Sequence, residues 1–420
     1  MRGPIARATL RTSAVLGIRL LVQAGTLLIV ARVLGPHDFG AFAGVAALAV
    51  MLGTLSNFGT HIELLAEVSR EPQRHATVLP VALSTTLLCG SALFALYMLL
   101  ATTLLGEAGI GIDVLIALGL AELILQPLLN LPGAEHQGHG RIATSQLLTT
   151  LPLAMRLLAA ATVWLLHPLD PLRDYALGYL GASALALVVA TLSVKQAWPA
   201  LRDWRLPRLA ELRHASGYAM LNLTGTGPAE LDKTLALKLL PLAAAGVYAA
   251  GARVIGSLTL PVIAMMLSAM PRLFREGQTD PARSTRLLRW VFAAALGYSL
   301  VLATALWVAA PWFDLLFGTR YQGLGHTIRW LTLAVPGMAL RIAAGVALAA
   351  LGRPWTRVGF EVVGLVVLSA AALMLTERSG LLGMPLALAC SEWSMAVLGW
   401  LLIRTVRFSR NAPPTTSPVA

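Results

Sequence analysis

The sequence predicts an all-α polytopic membrane protein, with about twelve transmembrane helices in two six-helix bundles related by a pseudo-two-fold axis along the membrane normal. Three observations lead there. Of the 420 residues, 57% are hydrophobic and only 12% charged, with a mean hydropathy of +0.73. A water-exposed surface of that composition would be too apolar to stay dispersed. The apolar residues fall in runs of about 20, the length that crosses a hydrocarbon core of about 30 Å, and the charges gather at the ends of those runs.

Cutting the chain at Pro, Gly and charge clusters places segments at 12–34, 41–65, 77–104, 111–133, 142–166, 175–197, 215–240, 244–270, 287–310, 327–350, 355–376 and 381–404. The first follows Arg2, Arg7 and Arg11 in the manner of a signal peptide. It is too long for an h-region and lacks a small-x-small cleavage site, so it reads as an uncleaved helix. The seventh and eighth are separated only by Pro241 and a few small residues.

Orientation follows from the cations. With the N-terminus inside, 21 of the 32 Lys and Arg residues fall on the cytoplasmic side and six on the other, among them Arg32, Lys238 and Arg320. That split requires an even number of spans and places both termini in the cytoplasm. A net charge of +12 fits a membrane surface, and nucleic acid is excluded because no soluble domain remains to form a groove. The longest hydrophilic stretch, Lys195 to His214, falls at mid-chain. The expected organisation is therefore an N-terminal bundle over 1–197, a cytoplasmic basic linker over 198–214 and a C-terminal bundle over 215–410. The Pro/Ser/Thr-rich residues 411–420 are expected to be a disordered tail.

The halves repeat. At an offset of 206, Arg32 meets Lys238, Leu34 meets Leu240, Gly40 meets Gly246, Phe42 meets Tyr248 and Ala43 meets Ala249. At an offset of 212, Leu104 to Gly106 meets Leu316 to Gly318, and Gly140-Arg141-x-x-Thr144 meets Gly352-Arg353-x-x-Thr356. Each match is weak alone, but together they keep their order and land on equivalent helix ends. Six spans per half, an even number, give both halves the same orientation, hence an axis along the membrane normal.

The residues Ala31 to Arg70, with Arg32, Leu34, Gly35, Phe39, Gly40 and Arg70 in the pattern R-x-L-G-x-x-x-F-G and a basic end to the second helix, resemble the opening of the oligosaccharide flippase, or polysaccharide transporter, family. Asp232, Gly246-Val247-Tyr248 with Ala249 and Arg253, Pro271, and Leu351-Gly352-Arg353-Pro354 are similar to that family's second half. The resemblance covers nearly the full length. It implies the multidrug/oligosaccharidyl-lipid/polysaccharide exporter superfamily, two bundles facing across a central cavity, and alternating access. It also implies a multi-pass protein of the bacterial inner membrane that moves undecaprenyl-diphosphate-linked sugars from the cytoplasmic to the periplasmic leaflet for surface polysaccharide, lipopolysaccharide included. Its partners would be the lipid-linked oligosaccharide, membrane lipids, and polymerase or ligase proteins of the same pathway. Helices 5 and 6 depart from the family by being Ala-rich and poor in aromatics.

No cofactor is expected. None of the three lysines follows a glycine, so there is no Walker A motif, and Gly225-Thr226-Gly227 is followed by Glu230 where a dinucleotide fingerprint needs glycine. His136 and His139 are close in sequence but have only Glu135 beside them, which reads as a solvated turn and not a metal site. Cys89 and Cys390 read as packing residues.

The informative side chains are the ionisable ones inside segments, since a charge at mid-bilayer costs several kcal/mol and faces either a partner or a cavity. These are Arg19, Glu63, Glu122, Arg156, Glu230, Asp232, Lys233, Arg253, Arg341, Glu361 and Glu392. If helices 1, 2, 7 and 8 line the cleft, as the resemblance implies, Arg19 and Arg253 both point at a substrate diphosphate, which a guanidinium binds through its planar donor fork. Arg156 and Arg341 are further substrate-binding candidates, with pairing to an intramembrane carboxylate as the alternative. Glu230, Asp232 and Lys233, next to the helix-weakening Gly225-x-Gly227-Pro228, read as a structural ion pair in preference to a coupling-ion site. Two rivals remain: a drug or cation exporter of the same superfamily, which should have a less basic cavity, and a membrane glycosyltransferase or polymerase. The latter is disfavoured because the longest external connection, 311–326, is too short for a domain.

Overall fold

The computed structural model describes residues 4–411 apart from 197, 260, 264, 267–280 and 351–353, and among these residues it contains helices and no strands. Among the described residues, nine helical runs are long and apolar enough to cross a membrane. Two of them, Gly17–Gly53 and Trp355–Thr405, hold two legs each, and a further helix of 31 residues, Leu209–Leu239, is made less apolar by Glu230, Asp232 and Lys233. The expected twelve segments are all accounted for. The sites at Pro271 and Leu351 to Arg353, and the tail from residue 412, lie outside the described residues.

The first helix, α1 (Pro4–Gly53), is broken at Gly35, whose φ of 70° and ψ of 173° only glycine adopts readily, and it restarts at Pro36. The break is a reversal. Arg19 and Val50 line one cavity, although a straight helix would hold them about 46 Å apart. The second leg was expected to run to 65 but stops at Gly53. There the chain turns through Phe58 and Gly59, both at positive φ, before α2 (Thr60–Arg70). The backbone of that turn is met within the protein, as an apolar surrounding requires, by short-range bonds such as Leu55 N–H to Leu52 O at 2.9 Å and Phe58 N–H to Leu55 O at 2.8 Å, while the Asn57 side-chain amide anchors it to other helices through Pro127 O at 2.9 Å and Thr86 Oγ1 at 3.1 Å.

After α3 (His75–Leu104), α4 (Ile112–Leu120) passes through a π-helical turn, Ala121–Leu125, into α5 (Gln126–Gly138). Pro127 has no N–H to give the preceding turn, and the extra residue of the π-turn accommodates that loss. Two helices, α6 (Ile142–Leu166) and α7 (Pro171–Ser193), complete the first lobe. The second lobe comprises α8 (Leu209–Leu239), α9 (Leu242–Leu258), α10 (Pro281–Phe317), α11 (Leu324–Leu331), α12 (Val335–Ala350), α13 (Pro354–Ser379) and α14 (Gly383–Asn411). The hydrophilic stretch between the lobes is shorter than expected, because α8 begins at Leu209. Its start is set by Glu211, which accepts the Arg208 N–H at 2.7 Å and the Arg205 fork at 2.6 and 3.0 Å. That fork holds the Glu211 carboxyl below its usual range. Nor does the stretch hang free: Trp198 and Trp204 pack on Leu64, Val68 and Leu79, and Ser84 donates to Arg205 O at 2.6 Å.

The lobes meet at one end, in a contact the repeat makes symmetric. A Cβ on Gly40 would overlap the carbonyl oxygen of Leu242, and a Cβ on Gly246 would overlap that of Pro36. Gly246 and Leu242 are the 206-offset equivalents of Gly40 and Pro36, so the two-fold axis passes between these glycines. The equivalent cations cross in opposite directions. Arg32 donates through Nε and Nη2 to Leu316 O at 3.0 and 2.6 Å, and Lys238 pairs with Glu107 at 3.1 Å. Tyr321 OH donates to Ala31 O and Thr234 Oγ1 to Gly44 O, at 3.0 and 3.1 Å. Small residues and interhelical hydrogen bonds of about 0.6 to 2 kcal/mol each are what hold helices together in lipid. A seal of this size is a reversible one.

Replacing Gly246 by Leu is therefore expected to pry this end apart. Spin labels at residues 107 and 320 should report a longer, broader distance distribution in the variant, and an unchanged distribution would show that the glycine contact does not close the seal.

Candidate functional site

Below the seal, both legs of α1, the π-turn, α6 and α7 from one lobe and α8, α9, α12 and α14 from the other enclose a cavity of about 480 Å³. Of the seven side chains given a substrate or ion-pair role from the sequence, six line it: Arg19, Arg156, Glu230, Asp232, Lys233 and Arg253. Arg341 does not. It is buried within the second lobe, its Nε 2.6 Å from Glu392 Oε2, with Glu361 and Arg357 forming a neighbouring pair at 3.1 Å.

The cavity charges divide by whether a partner is present. Lys233 Nζ lies 3.3 Å from Asp232 Oδ1 and 3.5 Å from Glu230 Oε2, and it also donates to Ala229 O. Asp232 accepts in addition from Tyr248 OH at 2.9 Å, which ties α8 to α9 through the aromatic that follows Gly246. Arg156 Nη2 lies 2.9 Å from Glu122 Oε1 and 2.9 Å from Ser183 Oγ, its guanidinium stacked 3.7 Å above the ring of Tyr179, whose hydroxyl donates to the same Glu122 oxygen. Glu122 is one of the intramembrane ionisable residues that the sequence brings out. Its partner, 34 positions further along the chain, became visible only when α6 folded against the π-turn.

Arg19 and Arg253 have no carboxylate within ion-pair distance among the described residues. Arg253 lies over Phe42 and Phe39 at 5.7 and 5.8 Å from the ring centres, an arrangement that stabilises the cation weakly and leaves its N–H donors available. Arg19 sits on the first leg of α1 beside Gln23 and Thr26, some eleven residues, or roughly 16 Å, from Val30 near the seal. The cavity lining therefore carries an excess of positive charge, four cations (Arg19, Arg156, Lys233 and Arg253) against three carboxylates (Glu122, Glu230 and Asp232).

Two expectations are corrected. The turn at His136 and His139 is not solvated: α5 extends to Gly138, packs on Val68, and buries Glu135 and His136. There Glu135 lies 2.9 Å from His75 and 3.3 Å from His139, and His136 contacts Ser193 at 2.9 Å. Among the described residues no group of three His, Cys, Asp or Glu is placed so that it could hold a metal ion. Cys89 is half-buried, but Cys390 is exposed on the outer face of α14 and does not pack in a core.

The family described as "Polysaccharide biosynthesis protein" matches residues 5–276. No curated protein matches the sequence. Among solved structures, the chain is similar to the inward-facing conformation of a multidrug resistance MATE family transporter of the MOP superfamily, with 14% identity over 96% of this chain and 100% of that one and a TM-score of 0.76. It is also similar to an outward-facing MATE structure, with 15% identity, 98% of each chain and a TM-score of 0.66. A MOP superfamily transporter from Pyrococcus furiosus Vc1 (DSM3638), whose binding pocket of reverse polarity suggests a different function, shares 15% identity over 98% of each chain at a TM-score of 0.68. These likenesses establish the fold.

Removing Arg341 alone should leave Glu392 buried without a partner, at a cost of about 3 to 5 kcal/mol. Arg341→Met is expected to melt well below the wild type in detergent, and Arg341→Met with Glu392→Met to regain most of the loss. A single variant with unchanged melting would remove this pair from the structural account.

Proposed function

Because the chain belongs to the polysaccharide biosynthesis protein family and has the fold of MOP superfamily transporters, we propose that it is a flippase for polyprenyl-diphosphate-linked oligosaccharides in surface polysaccharide biosynthesis. It works in the bacterial inner membrane as a secondary transporter, both termini in the cytoplasm. One observation carries the reading: in the cavity between the lobes every carboxylate has a cationic partner, while Arg19 and Arg253 have no carboxylate partner among the described residues. A lipid diphosphate brings about two negative charges into a poorly hydrated cleft, where an uncompensated ion costs several kcal/mol. Two guanidiniums on opposite lobes offset that cost and bind phosphate through planar forks.

The greater similarity to the inward-facing than to the outward-facing transporter supports loading from the cytoplasmic leaflet. The Gly40 and Gly246 seal then closes the periplasmic side, and reopening there releases the headgroup while the prenyl tail stays in the bilayer. A drug-cation exporter is the rival that the fold leaves open, and the unpaired cations disfavour it. Polymerase or ligase proteins of the same pathway would receive the product.

Arg19→Ala and Arg253→Ala should each lower glycan export at least about tenfold, the loss of one charge-assisted contact, with membrane insertion intact. Lysine at either position should restore it only in part. Export at wild-type rate in both alanine variants would refute the assignment.

A further inference from the structure

The Arg156 guanidinium is only partly used. Among the described residues its hydrogen bonds and ion pair all pass through Nη2, to Glu122, Ser183 and, at 3.3 Å, Gln126 Oε1. Its Nε is buried without a partner, and both Arg156 and Glu122 line the cavity. A guanidinium placed only to neutralise a buried carboxylate would be expected to spend its fork on it. This one holds Glu122 by a single nitrogen and keeps donors in reserve. It also lies on the same aromatic step as Arg253: Arg156 stacks on Tyr179, Tyr179 meets Phe42 at 5.9 Å between ring centres, and Arg253 lies over Phe42.

We propose that Glu122 is a resident anion that the substrate displaces: on loading, phosphate oxygens take over Arg156, and the released Glu122 carboxylate binds a proton, which it gives up again when the substrate leaves and Arg156 returns. This rests on the diphosphate reading of the cavity. No bond other than O–H forms or breaks, and the proton comes from water. Glu122 is then a positioning residue, acting through Arg156. It favours ligands able to outcompete a carboxylate, which a diphosphate does with its several charged oxygens and a singly charged carboxylate does not. The π-turn that carries Glu122 and the Tyr179 hydroxyl keep the side chain in place when its cation leaves, since that hydroxyl serves the carboxylate and can equally bond the carboxylic acid.

The groups facing Glu122 are Arg156 on α6, Tyr175 and Tyr179 on α7, and, from the rest of the cavity wall, Arg19, Arg253, Glu230, Asp232 and Lys233. Of the cavity carboxylates, Glu122 alone has Arg156 as its partner. Glu230 and Asp232 keep Lys233 whatever Arg156 does.

The sign of the linkage follows. Without substrate, Glu122 is paired with Arg156 at 2.9 Å. In the loaded protein it has lost its partner and is more readily protonated, so binding takes up a proton and strengthens as pH falls, by at most about tenfold per pH unit for one proton. The probe is a geranyl-diphosphate-linked monosaccharide, whose phosphates keep their charge between about pH 5.5 and about pH 8. Binding to the purified full-length protein is measured by calorimetry across that range. The wild type is expected to bind more tightly at low pH. Glu122→Gln should bind without that slope and, near pH 8, more tightly than the wild type, while Glu230→Gln should keep the slope. A wild type with no slope, a slope surviving in Glu122→Gln, or a slope lost in Glu230→Gln overturns the proposal while leaving the diphosphate reading intact. If Glu122→Gln does not fold, wild-type calorimetry in two buffers of different ionisation heat decides: about one proton taken up supports it, none overturns it. Failure of the wild type to bind the probe at any pH refutes the diphosphate reading itself.

Discussion

Two helix backbones can approach to touching distance only where neither carries a side chain, and this protein uses that freedom once in each half. Gly40 and Gly246 let the second leg of α1 lie against α9 so closely that each presses on a carbonyl of the other lobe. Much of the site depends on this contact. It sets Phe39 and Phe42 beside Arg253, brings Thr234 to the Gly44 carbonyl, and puts the crossing cations Arg32 and Lys238 within reach of the opposite lobe. With α1 and α9 pressed together at this end, the space below them becomes a cavity. Lipid supplies no hydrophobic force between helices, so the seal is worth the sum of a few modest contacts, a scale suited to a joint that must open and close.

Electrostatics then sorts what the cavity can hold. Desolvation penalises every charge in it, and the protein meets the penalty by pairing: Lys233 with Asp232 and Glu230, Arg156 with Glu122, and, deeper in the second lobe, Arg341 with Glu392. Arg19 and Arg253 are left, one on each lobe. A cation such as a drug ammonium would meet positive potential here, whereas an anion would supply the missing partner. The same logic distinguishes Arg156 from Arg341. Both are paired, but Arg156 borders the cavity and has a donor to spare, while Arg341 is shut away from it.

The fold was largely legible in the sequence because the bilayer imposes one length on every span and the gene-level repeat left its marks at helix ends. The offset of 206 that aligns Arg32 with Lys238 and Gly40 with Gly246 turned out to describe a physical contact. What was not legible depends on tertiary placement. The break after Gly53 depends on Asn57 finding the Pro127 carbonyl on another helix. The burial of Glu135 and His136 depends on α5 outrunning its apolar segment to pack on Val68. The Glu122 and Arg156 pair joins residues on different helices with no local pattern to announce it. Of the substrate candidates, Arg341 could not be told apart from Arg19, Arg156 and Arg253, because an intramembrane arginine looks the same in sequence whether it faces a cavity or a buried glutamate.

The central claim is that the cavity carries a lipid diphosphate and not a drug cation. The most direct test is reconstitution of the purified protein into liposomes, with translocation of a fluorescent polyprenyl-diphosphate-linked sugar followed by quenching of the label at the outer surface. The account predicts movement of the diphosphate lipid between leaflets, at a rate that excess neutral polyprenol does not reduce. Accumulation or extrusion of a lipophilic cation such as ethidium, with the diphosphate lipid left in its original leaflet, would contradict it.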